Sequence, residues 1–215
     1  MKSVLRCAVV LCAIASMANA GVIFPFQRIT SNTPDGWVPS FTLEVSEYGN
    51  GVLFTFSNLG PYDGSIMAAY FDDTTYLTNG DVLPTTGVDF HMEGEQISFG
   101  PKPKYNSVSP GDLPGGNTVG FTANPALSSD ADGNPSNGVN PGETLDIAFE
   151  LLTGDYDDVI AAIRAQTLVA GIHVQDLGPD GQFSDSFTVH APVPGALVLG
   201  GIGVVATAFM RRRLS

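Results

Sequence analysis

The stretch SFTLEVSEYGNGVLFTFSNLG limits the fold more than any other part of this sequence. Phe41, Leu43 and Val45 alternate with Thr42, Glu44 and Ser46. After Asn50-Gly51 the device returns, with Val52, Phe54 and Phe56 alternating with Leu53 and Thr55. Successive side chains of a strand point to opposite faces, so each run predicts a strand with one buried face. Asn-Gly between two such runs is a strong hairpin signal, so the pair is expected to fold back on itself.

Seven further short runs read as strands: SIMAAYFDD, GVDFHME, QISFG, NTVGFTA, ETLDIAFELL, LVAGIHVQDL and SDSFTVH. Each is bounded by Gly, Pro, Asn or Asp, and no strand–helix–strand rhythm appears. The expected fold is mainly β, an antiparallel β-sandwich of jelly-roll type. One segment departs from it. In GDYDDVIAAIRAQ, Val159, Ile160 and Ile163 share a helical face, Asp155 is a candidate N-cap, and Asp157 and Asp158 face the positive end of the helix dipole. This predicts one short helix packed across an end of the sandwich. Two long polar loops, GPKPKYNSVSPGDLPGGN and NPALSSDADGNPSNGVNPGE, are surface segments of the kind that carry binding.

The ends of the 215-residue chain read differently from its middle. Residues 1–20 join a basic start (Lys2, Arg6), an apolar stretch and Ala18-Asn19-Ala20, the layout of a secretory signal peptide cleaved after Ala20. Both cysteines, Cys7 and Cys12, fall inside it, and Cys12 lacks the small preceding residue expected of a lipidated cysteine. The body, residues 21–189, therefore carries no thiol, which excludes disulfides and cysteine chemistry. It holds four basic residues, Arg28, Lys102, Lys104 and Arg164, against all 22 acidic ones, a net charge of −18. Such a surface repels nucleic acid, whose binding requires Lys and Arg against phosphate.

Catalytic patterns are absent from the sequence: it has no G-x-S-x-G elbow, H-E-x-x-H helix or phosphate-cradling glycine loop. The histidines are His91, His173 and His190. His91 has Asp89 and Glu93 on the same predicted strand face, a trio that suits a metal or a solvated polar face. His173 alternates with Ile172 and Val174 and reads as an ordinary strand residue. The enzyme reading is accordingly set aside, with a surface hydrolase kept as an alternative that would need His91 or two carboxylates in a deep cleft.

Calcium is the cation best matched to this composition, since it takes hard oxygen ligands from polar loops. The candidates are Asp130 and Asp132 in one loop and Asp176, Asp180 and Asp185 in another, although neither fits EF-hand spacing. A calcium-assisted carbohydrate-binding module would also expose aromatics, for which Trp37, Tyr62, Tyr70 and Tyr76 are candidates.

The C-terminal segment, residues 190–215, contains Pro192-Val193-Pro194-Gly195, an uncharged run from Ala191 to Met210, and Arg211, Arg212 and Arg213. Twenty uncharged residues are about the length of a membrane-spanning helix, and the arginines favour the cytoplasmic side. This predicts a C-terminal transmembrane helix that anchors an exported body. The arrangement resembles the sorting tail of the PEP-CTERM proteins of Gram-negative bacteria, a Pro-Glu-Pro-like motif, an apolar helix and an arginine cluster. Val193 stands where that family most often has glutamate. AYFDD, NGVNPGETLDIAFEL, DDVIAAI and GIHVQDLGPDGQFSDSF also look like the body of some members. The resemblance implies recognition by an exosortase, a membrane cysteine protease, and an exopolysaccharide-rich cell surface or matrix as the destination.

Overall fold

The computed structural model describes residues 21–98, 104–105 and 113–189. The signal-cleavage residues Ala18 and Ala20, the tail motif Pro192, Val193, Pro194 and Gly195, the basic cluster Arg211, Arg212 and Arg213, and His190 lie outside the described residues. Among the described residues no helix is long and apolar enough to cross a membrane.

The first strand, β1 (Val22–Arg28), belongs to two halves of the molecule. Val22 to Pro25 pair antiparallel with β2 (Phe41–Tyr48), whereas Phe26 to Arg28 pair with β12 (Phe183–Val189). Pro25 stands at the change of partner. It has no N–H to donate to a ladder, and a strand position where hydrogen bonding switches sides accommodates it.

The other strands are β3 (Gly51–Asn58), β4 (Ser65–Asp72), β5 (Leu77–Leu83), β6 (Phe90–Met92), β7 (Gln96–Ser98), β8 (Lys104–Tyr105), β9 (Ser129–Ala131), β10 (Thr144–Leu151) and β11 (Val169–Leu177). Ten of them form one sheet in the order β5-β10-β3-β2-β1-β12-β11-β4-β9-β6, and β7 pairs with β8 apart from it. The ten-stranded sheet is antiparallel and nearly closed into a barrel. The expected mainly β, antiparallel class holds, with one curled, continuous sheet where a sandwich has two layers. Strand count and spacing do not distinguish the two arrangements; the difference is made by β1, which continues one half into the other.

The barrel is filled by phenylalanine. Phe71 of β4 meets Phe54 of β3 and Phe149 of β10 edge-on, with ring centroids 5.0 and 4.9 Å apart, and Phe56 at 5.9 Å. β4 is five places from β3 in the sheet order, so these contacts cross the interior and mark its curling. Phe41 of β2 and Phe187 of β12 make a similar contact at 5.0 Å beside β1. Edge-to-face pairs of this kind add about 0.5–1.5 kcal/mol each beyond their burial.

The hairpin forms one residue earlier than Asn50-Gly51 implies: Tyr48 pairs with Gly51, leaving Gly49 and Asn50 as the loop. The positive φ of 59° falls on Gly49, the first loop residue, as a type II′ turn requires. NTVGFTA, expected as a strand, instead holds a 3₁₀ turn, Gly116–Val119, flanked by Gly115 and Gly120 in the left-handed region. Leu113 and Phe121 from this segment cover Ala68 and Tyr70 on the outer face of β4. That strand is consequently buried on both faces, which explains its unbroken apolar run.

The predicted helix is α1 (Tyr156–Ala165), the one α-helix among the described residues. Asp155 caps it by accepting from the Asp158 amide while Asp158 accepts in return from the Asp155 amide, a complete capping box. Val159, Ile160, Ala162 and Ile163 are buried against the barrel, and Tyr156 Oη donates to the Val45 carbonyl at 3.2 Å.

Candidate functional site

His91 lies on β6 with Nε2 3.2 Å from Asp89 Oδ1 and Nδ1 3.5 Å from Glu95 Oε1. Asp89 was expected there and Glu95 was not; the predicted member Glu93 uses its amide on the Ser128 carbonyl across the neighbouring segment. A reversal after Met92 brings Glu95 back, its Oε2 accepting from the Met92 amide at 3.1 Å. His173 Nδ1 is 3.3 Å from Ser186 Oγ on the paired strand. Burial lowers the pKa of His173, although the Asp185 charge opposes that shift. Ser186 is fully buried, so this histidine–serine pair opens to no substrate.

The calcium candidates fall in different environments. Asp130 is on β9, in register with His91, and Asp132 follows that strand with its carbonyl accepting from Asn137 Nδ2. Asp176 lies near the end of β11 and Asp180 in the β11–β12 connection, where Gln182 Nε2 donates to Asp180. Asp185 is inward-facing and buried, separated from them by its own hydrogen bonds. It accepts from Thr30 Oγ1 at 2.7 Å, from the Asn32 amide at 2.8 Å and from the Thr33 amide at 3.0 Å. Burial pushes its carboxyl upward, but these bonds together outweigh burial and hold it below its ordinary value. Among the described residues no group of three His, Cys, Asp or Glu side chains is placed to hold a metal ion.

Two of the four candidate aromatics are surface groups. Trp37 and Tyr62 are 42% and 38% exposed and touch each other, centroids 5.8 Å apart. Tyr70 is buried under Leu113 and Phe121, and Tyr76 packs against the main core. The loops of Trp37 and Tyr62 are tied together, since the Ser40 amide donates to the Gly60 carbonyl, the Leu59 amide donates to the Ser40 carbonyl, and Asn58 Nδ2 donates to the carbonyls of Gly64 and Val139.

A groove of about 580 Å³ lies at the other end of β2, on the outer face of β2, β3, β10 and β5. Its shape follows from register. Tyr48 pairs with Gly51 and Gly51 with Glu150, so the three form one cross-strand row with no side chain at its centre. In the next row Ala148 lies between Leu53 and Asp81. Small residues thus floor a slot walled by Tyr48, 48% exposed, on one side and by Asn79 and Asp81 on the other. A Cβ on Gly51 would fall 2.0 Å from the Phe149 carbonyl oxygen, so the strand needs glycine there.

On the far wall, the β5–β10 register slips between Ala148 and Glu150, with Asn79 at φ 48°. This bulge turns Asn79 so that its Nδ2 donates to Glu150 Oε2 at 2.7 Å. Two carboxylates, an amide and a phenol therefore converge, and among the described residues no Lys, Arg or His lines the groove. Sequence reasoning missed this site. The available signal was Gly51 within an otherwise bulky strand, which marks a close backbone approach.

Fold and groove together define an acidic, nearly closed antiparallel barrel with an open polar slot on its outer wall. No family model, curated protein or solved structure matches the chain.

Proposed function

We propose that this is an exported, non-catalytic protein of the cell surface or extracellular matrix. Residues 1–20 direct export, and residues 190–215 tether the body. An exosortase-type protease then recognises Pro192, Val193, Pro194 and Gly195 with the Arg211, Arg212 and Arg213 cluster. One observation supports the reading best: all ten barrel strands fall between Val22 and Val189, and β1 and β12 pair directly, Phe26 opposite Val189. Removal of both terminal segments would leave every barrel strand among the described residues in place.

An intact mass of the mature protein from its native host tests this. The expected chain starts at Gly21 and has lost residues beyond the Pro192-Val193-Pro194 motif. Neutral replacement of Arg211, Arg212 and Arg213 should leave the tail attached. A full-length cytoplasmic chain, or an unchanged C-terminal mass in the neutralised variant, would overturn the reading.

A second reading, a carbohydrate-binding body, is favoured by the exposed Trp37–Tyr62 pair. Amphipathic rings of this kind are enriched at binding surfaces because they bring large apolar area and a polar tip. If calcium assists, adding it to the metal-stripped protein raises the melting temperature; an unchanged value removes calcium from this reading.

A further inference from the structure

We propose that the Tyr48–Glu150 groove binds an amino sugar, a pyranose unit carrying a free ammonium within a glycan chain. The inference deepens the carbohydrate reading but uses a different surface from Trp37 and Tyr62. Trp37 precedes the start of β2, whereas Tyr48 ends it, so about 24 Å of strand separates the two.

Size and lining come first. The groove's 580 Å³ falls in the range of roughly 300–1,000 Å³ typical of small-ligand sites, where a few placed polar groups fix orientation. Gly51 puts no side chain between Tyr48 and Glu150 in their row. A flat ring entering the slot can cover the phenol with its C–H face while its edge reaches the opposite wall. Asn79 offers an amide there, and Asp81 offers an exposed carboxylate.

Charge then selects among ring-shaped ligands. Asp81 and Glu150 line the groove with no cationic side chain in it among the described residues, and the whole body is strongly acidic. Phosphorylated, sulfated or uronic sugars would meet like charge on approach and inside the slot. An ammonium is attracted at both ranges. It can pair with Glu150 Oε1 while Oε2 keeps the bond from Asn79, and the Tyr48 face adds a cation–π contact. Calcium alone is a poorer occupant, because it wants six to eight oxygens and the groove's carboxylates are only Asp81 and Glu150.

The test is calorimetric titration of the full chain, dispersed in neutral detergent, with a glucosamine oligomer and with its N-acetylated counterpart. The expected result is binding of the free-amine oligomer, at least about tenfold weaker for the acetylated one. Tyr48→Ala should weaken binding about tenfold through loss of the ring contacts. Glu150→Gln, which preserves shape and the Asn79 bond, should abolish the preference for the free amine. Trp37→Ala, at the other aromatic surface, separates the two sites.

Equal affinity for both oligomers would overturn ammonium recognition. Binding lost on Trp37→Ala but retained on Tyr48→Ala would overturn the groove while leaving the carbohydrate reading standing. Binding insensitive to all three substitutions would reduce the effect to net charge and overturn the site. Absence of binding to either oligomer overturns it as well, and circular dichroism of each variant separates lost binding from lost fold.

Discussion

Thr30 donates its hydroxyl to the carboxylate of Asp185 at 2.7 Å, joining positions 155 residues apart in the chain. The same carboxylate takes the amides of Asn32 and Thr33, and Arg28 Nη1 lies 3.6 Å from it. Arg28 also pairs with Asp35 on the surface. One buried acid thus closes the corner where the chain leaves β1.

Asp185→Asn keeps the shape but replaces one acceptor oxygen by a donor facing amides. The expected loss is about 2–4 kcal/mol, because buried donors are left unpaired; urea unfolding measures it. The folded carboxyl is held below its unfolded value of 3.8. Its stabilisation is therefore complete above that pH and is lost as pH falls through the folded value. Acid unfolding should start at higher pH in a Thr30→Val variant, which removes one of these bonds.

His173 titrates in the same direction for a different reason. Burial lowers its pKa below the ordinary histidine value of 6.5, so the unfolded chain takes up the proton first. Stability is full above pH 6.5 and declines as pH falls towards the folded value. Replacing His173 with Gln should flatten that part of the stability profile. NMR titration of the ring should give a midpoint under 6.5; a midpoint above it contradicts the assignment.

Phe71→Ala should be among the most damaging single changes. The ring contacts Phe54, Phe56 and Phe149 and is fully buried, so truncation leaves a cavity bounded by strands from both halves. About 3–5 kcal/mol is expected for such a loss, read from the denaturation midpoint at an unchanged slope.

Asp155→Ala removes the α1 N-cap. The bond from the Asp158 amide to the Asp155 side chain disappears, while the backbone amide at position 155 can still donate to Asp158, for an expected loss of about 1 kcal/mol. Asp155→Asn or Asp155→Ser should recover most of it in the same thermal melt.

Much of the fold was readable from local pattern. Alternation located β2 and β3, and the Asp-led Val/Ile run located α1 with its cap. β1 was missed because Pro25 interrupts it, and its role depends on β2 and β12, which lie far along the chain. β5 was missed because Asn79-Gly80 reads as a turn, whereas tertiary pairing with β10 holds it as a bulged strand. Conversely, NTVGFTA has strand-like residues but follows the left-handed Gly115 and contains the left-handed Gly120, a conformation that a regular strand does not adopt.

The groove was less legible than the fold. Tyr48, Asn79, Asp81 and Glu150 come from three strands, and only register places them around Gly51 and Ala148. Tyr70 shows the same limit from the other side. Nothing in AYFDD distinguishes a ring on the surface from one covered by Leu113 and Phe121.

By itself the sequence determined strand periodicity, the capped helix, a thiol-free acidic body and the character of both ends, because these depend on neighbouring residues or on summed charge. Only the tertiary structure decided that the strands make one curled sheet, which aromatics reach solvent and where carboxylates converge. Those outcomes are set by long-range register, and the pairing partner of a strand is not encoded in its own alternation.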